Sequence, residues 1–274
     1  MALTDLQRSV CRLLAAERIR SGESYVAGGV ALNELLGGAR VSRDIDLFHD
    51  TEEAVEASWT ADRARLEEAG FTVEVLRERP GFVEAEVQKG EDAVLMEWAR
   101  DSAFRFFPLV EHPDLGLALH PFDLATNKLL AMIGRREVRD WVDLLQCDES
   151  LQPLGYLAWA ACGKDPGFSP EAILEHAARS GRYTAQEVAA LAFVPSPPDA
   201  AALGRRWHAA LETAHEIVKE LPAEEAGACV LLNGDQLCRL APADLAAALA
   251  KGEIRFRSGS IRGALPTVRP AAPT

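Results

Sequence analysis

The stretch 24–48 constrains the fold of this chain more than any other part. Residues 25–27 are apolar and predict a short strand that ends at Gly28-Gly29. Residues 30–36 have helical spacing, and the Gly37-Gly38 pair that follows is typical of a helix carboxyl end. Residues 44–48 alternate acidic and apolar side chains, which predicts a second strand. The stretch therefore indicates a strand, a glycine bend, a short helix and another strand.

The second predicted strand carries Asp44 and Asp46 on one face, because side chains alternate along a strand. Two like charges held this close repel each other unless a cation lies between them. A divalent metal that carries a nucleotide would suit the acids, and Gly28-Gly29 would suit a phosphate. A solvated strand edge and an ordinary turn are the simpler explanations of the two features. Aspartate is a poor strand residue in such apolar surroundings, which favours the metal site.

Glu97 is the third acid that points to chemistry. It lies in residues 93–99, a predicted strand that is otherwise apolar. A lone buried carboxylate is costly unless it is paired or bound to a metal. One interpretation is a buried ion pair with Arg43 or Arg100. The interpretation that we favour is a third carboxylate beside Asp44 and Asp46, in a Mg²⁺ site completed by substrate phosphates.

The rest of the chain divides into two parts. Helices are predicted over 4–20 and 52–69, and strands over 71–76, 82–88 and 93–99, which indicates a mixed α/β sheet. From 121 onward the pattern is mostly helical, with one hairpin predicted around Asn233-Gly234. We therefore expect an α/β core over 1–120 and a mostly helical domain over 121–274. The tail after Arg257 is expected to be loosely ordered.

Composition limits the classes of function. The chain has 274 residues, a formal net charge of −13 and a pI of about 5.0, which argues against broad electrostatic capture of nucleic acid but leaves a local basic groove open. Its five cysteines are sparse and not in metal-type pairs. No signal pattern and no membrane-spanning stretch is evident. We expect a soluble cytoplasmic protein with reduced thiols.

Further charged residues lie in residues 122–143. Lys128 is the first cation of an apolar helical run, and it could either extend to the surface or reach a nucleotide phosphate. Arg139, Asp140 and Asp143 share one helical face, as surface ion pairs also do. The chain contains no Walker A, Gly-x-Gly-x-x-Gly, Gly-x-Ser-x-Gly or His-Glu-x-x-His motif.

In this order, the motifs resemble the AbiEii/AbiGii-type nucleotidyltransferase family of the DNA polymerase beta-like superfamily. The resemblance covers roughly residues 20–150. The motifs that carry it are Gly28-Gly29, Arg40-Val-Ser-Arg-Asp-Ile-Asp-Leu-Phe48, Glu97, Asp123-Leu-Ala-Thr-Asn-Lys128 and Arg139-Asp-Trp-Val-Asp143. Two positions differ from the broad superfamily. Gly29 stands where serine is frequent, and Glu97 stands where aspartate is common.

The resemblance implies a minimal nucleotidyltransferase core with a helical C-terminal part that completes the active site. It implies a magnesium site at Asp44, Asp46 and Glu97, and a catalytic set that adds Lys128 and Asp140. Gly28, Gly29, Ser42, Arg43 and Lys128 are the residues expected to bind the nucleotide.

The expected reaction is the Mg²⁺-dependent transfer of a nucleoside monophosphate from a nucleoside triphosphate to an acceptor hydroxyl. Many relatives are toxins of toxin–antitoxin systems, so RNA is a possible acceptor and an antitoxin protein a possible partner. Two alternatives remain open. One is a non-catalytic descendant that binds a nucleotide or a partner protein. The other is a small-molecule nucleotidyltransferase of the kind that modifies antibiotics.

Overall fold

A computed structural model describes residues 3–263. The sheet begins with β1 (Ser24–Ala27) and β2 (Asp44–His49), which flank the helix α2 (Gly28–Leu36). The sheet continues through β3 (Thr72–Arg79), β4 (Phe82–Lys89) and β5 (Asp92–Arg100). Two short strands complete it, β7 (Val110–His112) and β8 (Gly116–Ala118), and β6 (Phe104–Arg105) lies outside it.

These seven strands form one mixed sheet in the order β3-β4-β5-β2-β1-β8-β7. The pairs β2–β5 and β1–β8 are parallel, and the other neighbours are antiparallel. The predicted mixed α/β fold is confirmed. The strand β8 was not predicted, because it is three residues long and its pairing with β1 depends on contacts distant in sequence.

Helices cover the sheet and build the second half of the chain. Those of the first half besides α2 are α1 (Asp5–Ser21) and α3 (Glu52–Glu68). The later ones are α4 (Pro121–Arg135), α5 (Val138–Ser150), α6 (Leu154–Ala161), α7 (Pro170–Ser180), α8 (Ala185–Ala189), α9 (Ala200–Glu220) and α10 (Pro242–Ala250), with a 3₁₀ turn at Ala223–Glu225. Within residues 3–263, no helix combines the length and the apolar character that crossing a bilayer requires.

Local sequence explains several helix ends. Thr4 forms a capping box with Gln7 at the start of α1, and Thr51 caps α3. Gly37 ends α2 with a left-handed φ of 64°, which glycine adopts without strain. The start of α3 at Glu52 and the end of α2 before Gly37 agree with the predicted elements.

The C-terminal part also contains a small three-stranded sheet. It consists of β9 (Cys229–Leu232), β10 (Gln236–Leu237) and β11 (Ile254–Arg257), in the order β10-β9-β11. The predicted hairpin around Asn233-Gly234 is confirmed, because β9 and β10 pair in antiparallel fashion across it.

The chain after Arg257 is ordered over its first residues. The strand β12 (Ser260–Ile261) pairs with β6, so the expectation of a loose tail is wrong there, since main-chain pairing fixes it. The remainder, 264–274, lies outside the described residues.

The predicted division at residue 120 stays a prediction. One buried apolar cluster contains side chains from both parts, among them Val26 and Leu129.

Candidate active site

Three carboxylates lie on one face of the central sheet. In β2, Asp44 and Asp46 alternate with the fully buried Ile45 and Leu47, so both acids point away from that core layer. The neighbouring strand β5 runs parallel to β2 and places Glu97 directly opposite Asp46. All three acids line one cavity of about 470 Å³. The structure therefore brings together the acids that the sequence predicted to meet.

The glycine pair forms the adjoining wall of this cavity. Gly28 has a φ of 62°, and a Cβ atom on it would lie 1.5 Å from Asp46 Oδ2. A Cβ atom on Gly29 would lie 2.5 Å from Arg40 Nη2 and 2.7 Å from Ser42 Oγ. A side chain at either position would displace a polar group of the cavity, which is the physical reason for two glycines here.

The helix α2 starts at this bend. Its N-cap residue, Ala27, has no side chain that could accept a hydrogen bond from the first turn. The first N–H groups of a helix have no partner within the helix, and they carry its partial positive charge. Gly28 and Gly29 line the cavity, so the positive end of this helix borders the cavity, an arrangement that favours an anion.

Burial and mutual repulsion act on the carboxylates. Burial, together with the charge of Asp44, raises the pKa of Asp46 to about 6. Burial and the neighbouring charges of Asp46 and Glu84 also raise the pKa of Glu97. Among the described residues, neither Asp46 nor Glu97 has a hydrogen-bond or ion-pair partner. Both carboxyl groups are therefore destabilised in their charged form, and an added cation would relieve this.

The donor set fits magnesium in one specific way. Across residues 3–263, no three His, Cys, Asp or Glu side chains are gathered closely enough to hold an ion by themselves. Protein sites for Mg²⁺ commonly use one or two carboxylates and take further ligands from substrate phosphates and water. Hard carboxylate oxygens beside the positive end of a helix match that requirement.

Lys128 faces the same cavity from α4. It is buried, and its Nζ lies 3.0 Å from Asp140 Oδ1 and 3.2 Å from Asp143 Oδ2. Burial alone would lower the pKa of Lys128, but the two carboxylates outweigh it and the pKa is raised. A lysine held charged at the cavity wall is a suitable point contact for a phosphate.

Two arginines follow on the same side. Arg135 donates from Nε and Nη2 to Asp140, at 2.7 and 2.9 Å. Arg139 donates from Nη1 to Asp44 Oδ2 at 3.3 Å, and Asp44 also accepts a 3.0 Å bond from Ser42 Oγ. Both arginines line the cavity. The acids therefore face a cationic wall built by α4 and the start of α5.

Two predicted site residues do not line the cavity. The carboxylate of Asp140 is fully buried behind Lys128 and Arg135. Burial alone would raise the pKa of Asp140, but the bonds from Arg135 and Lys128 hold it below the usual range. Asp140 thus positions two cations and does not face the ligand space. Arg43 is exposed, and its Nη2 donates to the carbonyl of Ala190 at 3.3 Å.

The structure adds residues that sequence reasoning missed. Arg40 makes a two-pronged buried bond to Asp143, with both N···O distances 2.7 Å, and Asn33 donates to the same carboxylate at 3.1 Å. Arg40 and Lys164 also line the cavity. Arg40 lay inside the quoted motif stretch and could have been found there. Lys164 stands in a segment with no distinctive pattern.

The mixed sheet, the carboxylates on adjacent strands and the glycine bend facing cations define a nucleotidyltransferase. Comparison with family models supports this class, because residues 12–224 match the family described as nucleotidyl transferase AbiEii toxin, type IV TA system. The chain belongs to this family. Comparison with curated protein sequences finds no match.

Solved structures align with this chain at low sequence identity, and one of them, with a TM-score of 0.50, shares its fold. A candidate nucleotidyltransferase from H. pylori aligns with a TM-score of 0.50 and 15% identity, over 80% of this chain and 99% of that one. The protein JHP933 from Helicobacter pylori aligns with a TM-score of 0.49 and 13% identity, over 80% and 95%. The nucleotidyltransferase toxin MenT4 from Mycobacterium tuberculosis aligns with a TM-score of 0.49 and 16% identity, over 80% and 85%.

Proposed function

We propose that this nucleotidyltransferase moves a nucleoside monophosphate from a nucleoside triphosphate to an acceptor hydroxyl and depends on Mg²⁺. One observation carries the proposal: Asp44, Asp46 and Glu97 share a cavity wall that is opposed by cations and adjoined by a free helix amino end. The acids suit a metal ion, and the cations and the helix end suit a polyphosphate. A nucleoside triphosphate bound with Mg²⁺ satisfies both requirements at once.

Each wall of the cavity has its own task. The N–H groups of α2 and the ammonium of Lys128 bind the triphosphate and keep it in line with the acceptor. Gly28 keeps the backbone close to Asp46, which no other residue type permits at this distance. Asp44, Asp46 and Glu97, together with phosphate oxygens and water, would hold Mg²⁺. The ion would neutralise phosphate charge and make the acceptor hydroxyl more acidic.

We propose RNA as the acceptor. The net charge of −13 disfavours broad contact with a polyanion. The turn between α4 and α5 is nevertheless basic, with Arg135, Arg136 and Arg139 within five positions, and two of these line the cavity. A local basic rim of this kind can hold a strand end near the acids. The family description also implies an antitoxin partner, which we propose as the physiological inhibitor.

The test is incubation with each α-labelled nucleoside triphosphate, Mg²⁺, and separated RNA, protein and small-molecule fractions of cells. We expect label in RNase-sensitive material, released pyrophosphate, and loss of both with EDTA. Asp44→Asn and Asp46→Asn should abolish labelling, and Asp92→Asn, an exposed strand acid outside the cavity, should retain it. Label in the small-molecule fraction would replace RNA by an antibiotic-type acceptor. Transfer that survives EDTA would contradict the proposal.

A further inference from the structure

A lysine with a buried side chain fixes one polar side chain that lines the cavity. Lys164 follows α6, is only 8% exposed, and places Nζ 2.7 Å from Asn127 Oδ1. The same Nζ contacts Asp123 Oδ1 at 2.9 Å and the Asp123 carbonyl at 3.2 Å. The Asp123 carboxylate also accepts bonds from the backbone N–H groups of Phe106 and Phe107. Lys164 is therefore held in one position by a rigid buried group.

This contact determines which way the amide of Asn127 points. An ammonium group only donates, so the atom that faces Lys164 must be the amide oxygen. The Nδ2 group of Asn127 is then left as a donor, and among residues 3–263 it has no hydrogen-bond partner. Asn127 lines the cavity. Asn127 therefore presents an N–H donor to a ligand in the cavity. Its amide cannot rotate to present the oxygen instead, because the oxygen is held by Lys164.

Asn127 adjoins Lys128, the proposed phosphate contact, on α4, but the two side chains have different partners. Asn127 contacts Lys164, whereas Lys128 contacts Asp140 and Asp143. Neighbouring residues of an α-helix project about 100° apart, so Asn127 borders a different part of the cavity from Lys128. The cavity lining also includes Leu124, one helical turn before Asn127 on α4, and the aromatic side chains of Phe48 and Phe104. Flat apolar surfaces of this kind accept a nucleobase by stacking.

We propose that the part of the cavity beside Asn127 takes the base of the nucleoside triphosphate, and that Asn127, oriented by Lys164, selects bases with a carbonyl oxygen at the contacted edge. Guanine O6 and uracil O4 accept hydrogen bonds, whereas adenine N6 and cytosine N4 donate them. Two donors that face each other leave both unsatisfied, which is costly in a dry site. The selection rests on the proposed function, because it assumes that the cavity binds a nucleotide.

The deciding variant is Asn127→Asp. One carboxylate oxygen keeps the contact with Lys164, and the other presents an acceptor where the amide presented a donor. Equilibrium binding of ATP, CTP, GTP and UTP with Mg²⁺ is measured beside transfer, and kcat/KM is obtained for each nucleotide. The matched control is Asn233→Asp, at an exposed turn outside the cavity. Lys164→Met is the second variant, and urea unfolding reports whether each protein is folded.

We expect the wild type to favour GTP and UTP. In Asn127→Asp the preference for carbonyl over amino bases should fall at least about tenfold, the effect of exchanging one satisfied hydrogen bond for a repulsive pair. In Lys164→Met the ratio of kcat/KM values for carbonyl and amino bases should fall toward one. Without the lysine, the Asn127 amide can rotate and present its oxygen to the base. Asn233→Asp should leave it unchanged.

A preference in Asn127→Asp within threefold of the wild-type value overturns the selection, even if all four nucleotides bind more weakly. If the wild type transfers no nucleotide, the proposed function fails, and the binding constants alone decide on Asn127. If no nucleotide binds, both proposals fail.

Discussion

Two groups of charges lie side by side in this protein, one half-buried and one mostly buried, and their pKa values are shifted in opposite directions. The carboxylate face consists of Asp44, Asp46 and Glu97, and the pKa values of Asp46 and Glu97 are raised. The ion-pair network consists of Arg40, Lys128, Arg135, Asp140 and Asp143, and the pKa values of its two aspartates are lowered although burial alone would raise them. The same residue types are thus left without a stabilising partner in one group and are paired in the other.

The difference lies in the supply of protein cations. Asp143 is fully buried and accepts bonds from Arg40 and Asn33 with Lys128 close by, so its charge is satisfied inside the protein. Asp46 has no such partner among the described residues. A charge that the fold leaves uncompensated must be compensated by a ligand or remain costly. The comparison therefore identifies the face that is available to a metal and a nucleotide.

The largest expected effect is on transfer when the carboxylate face is broken. Asp44→Ala should lower kcat/KM for nucleotide transfer about 10³-fold or more, because a carboxylate that holds the metal contributes several kcal/mol to the transition state. Steady-state transfer of label measures this. Asp92→Ala, on the exposed start of β5, is the control. Comparable rates in the two variants would remove Asp44 from the site.

Breaking the ion-pair network should act on stability. Asp143→Ala leaves Arg40 and Lys128 buried without a shared acceptor, and the free energy of unfolding should fall by about 3–5 kcal/mol. Urea unfolding at pH 7.5 measures it. The control is Glu137→Ala, which removes a half-exposed partner of Arg139 and should cost at most about 1 kcal/mol. Equal losses would mean that the network is no more important than a surface pair.

Alanine substitutions at Gly28 and Gly37 separate the cost of backbone strain from the cost of a steric clash with Asp46. Gly28 and Gly37 have nearly equal positive φ values, 62° and 64°, but only Gly28 has Asp46 within reach of an added Cβ. Gly37→Ala should therefore cost about 1–2 kcal/mol of stability and leave transfer intact. Gly28→Ala should cost more and lower transfer at least about tenfold, since Asp46 must move. Thermal unfolding and transfer are measured on both, and an active Gly28→Ala enzyme would contradict the packing argument.

The smallest expected effect is a gain in the free energy of unfolding, where the preceding variants lose stability. Asp46→Asn removes a charge whose burial is unfavourable, so the metal-free variant should be more stable than the wild type by about 1–2 kcal/mol at pH 7.5, after allowance for solvent screening. The raised pKa means that folded Asp46 binds more protons than unfolded Asp46 between about pH 4 and pH 6. Its contribution to stability is therefore lost as the pH rises through this window.

Urea unfolding of both metal-free proteins at pH 4.5 and pH 7.5 tests the sign. We expect the two free energies to be closer at the lower pH and the variant to be ahead at the higher one. A variant that is less stable at pH 7.5 would show that Asp46 has a compensating partner in solution.

Much of the site could be predicted because its signals are local. The alternation in Asp44–His49 and the glycines before α2 are properties of short segments, and the structure places them as expected. Arg43 was misplaced for a related reason. It adjoins Asp44 in sequence but lies in the bend before β2, where its exposed side chain bonds the carbonyl of Ala190, so proximity in the motif did not mean proximity in the cavity.

Other parts could not be predicted from local signals. The short strands β8 and β12 exist because distant segments pair with them, and neither has a distinctive pattern of its own. Asn127 was quoted within a motif, but its role as an oriented donor depends on Lys164, 37 positions away. The sequence by itself also did not show that Asp140 would be covered by Lys128 and Arg135.

By itself, the sequence determined where acids and glycines stand along the chain and on which side of a strand they project, because backbone geometry links neighbouring residues directly. Only the tertiary structure decided which charges find partners. Arg40 and Asp143 meet across 103 positions, whereas Asp46 and Glu97 stand opposite each other on neighbouring strands and, within residues 3–263, have no ion-pair partner. Charge compensation depends on distances through space and on burial, and these exist only once the chain has folded.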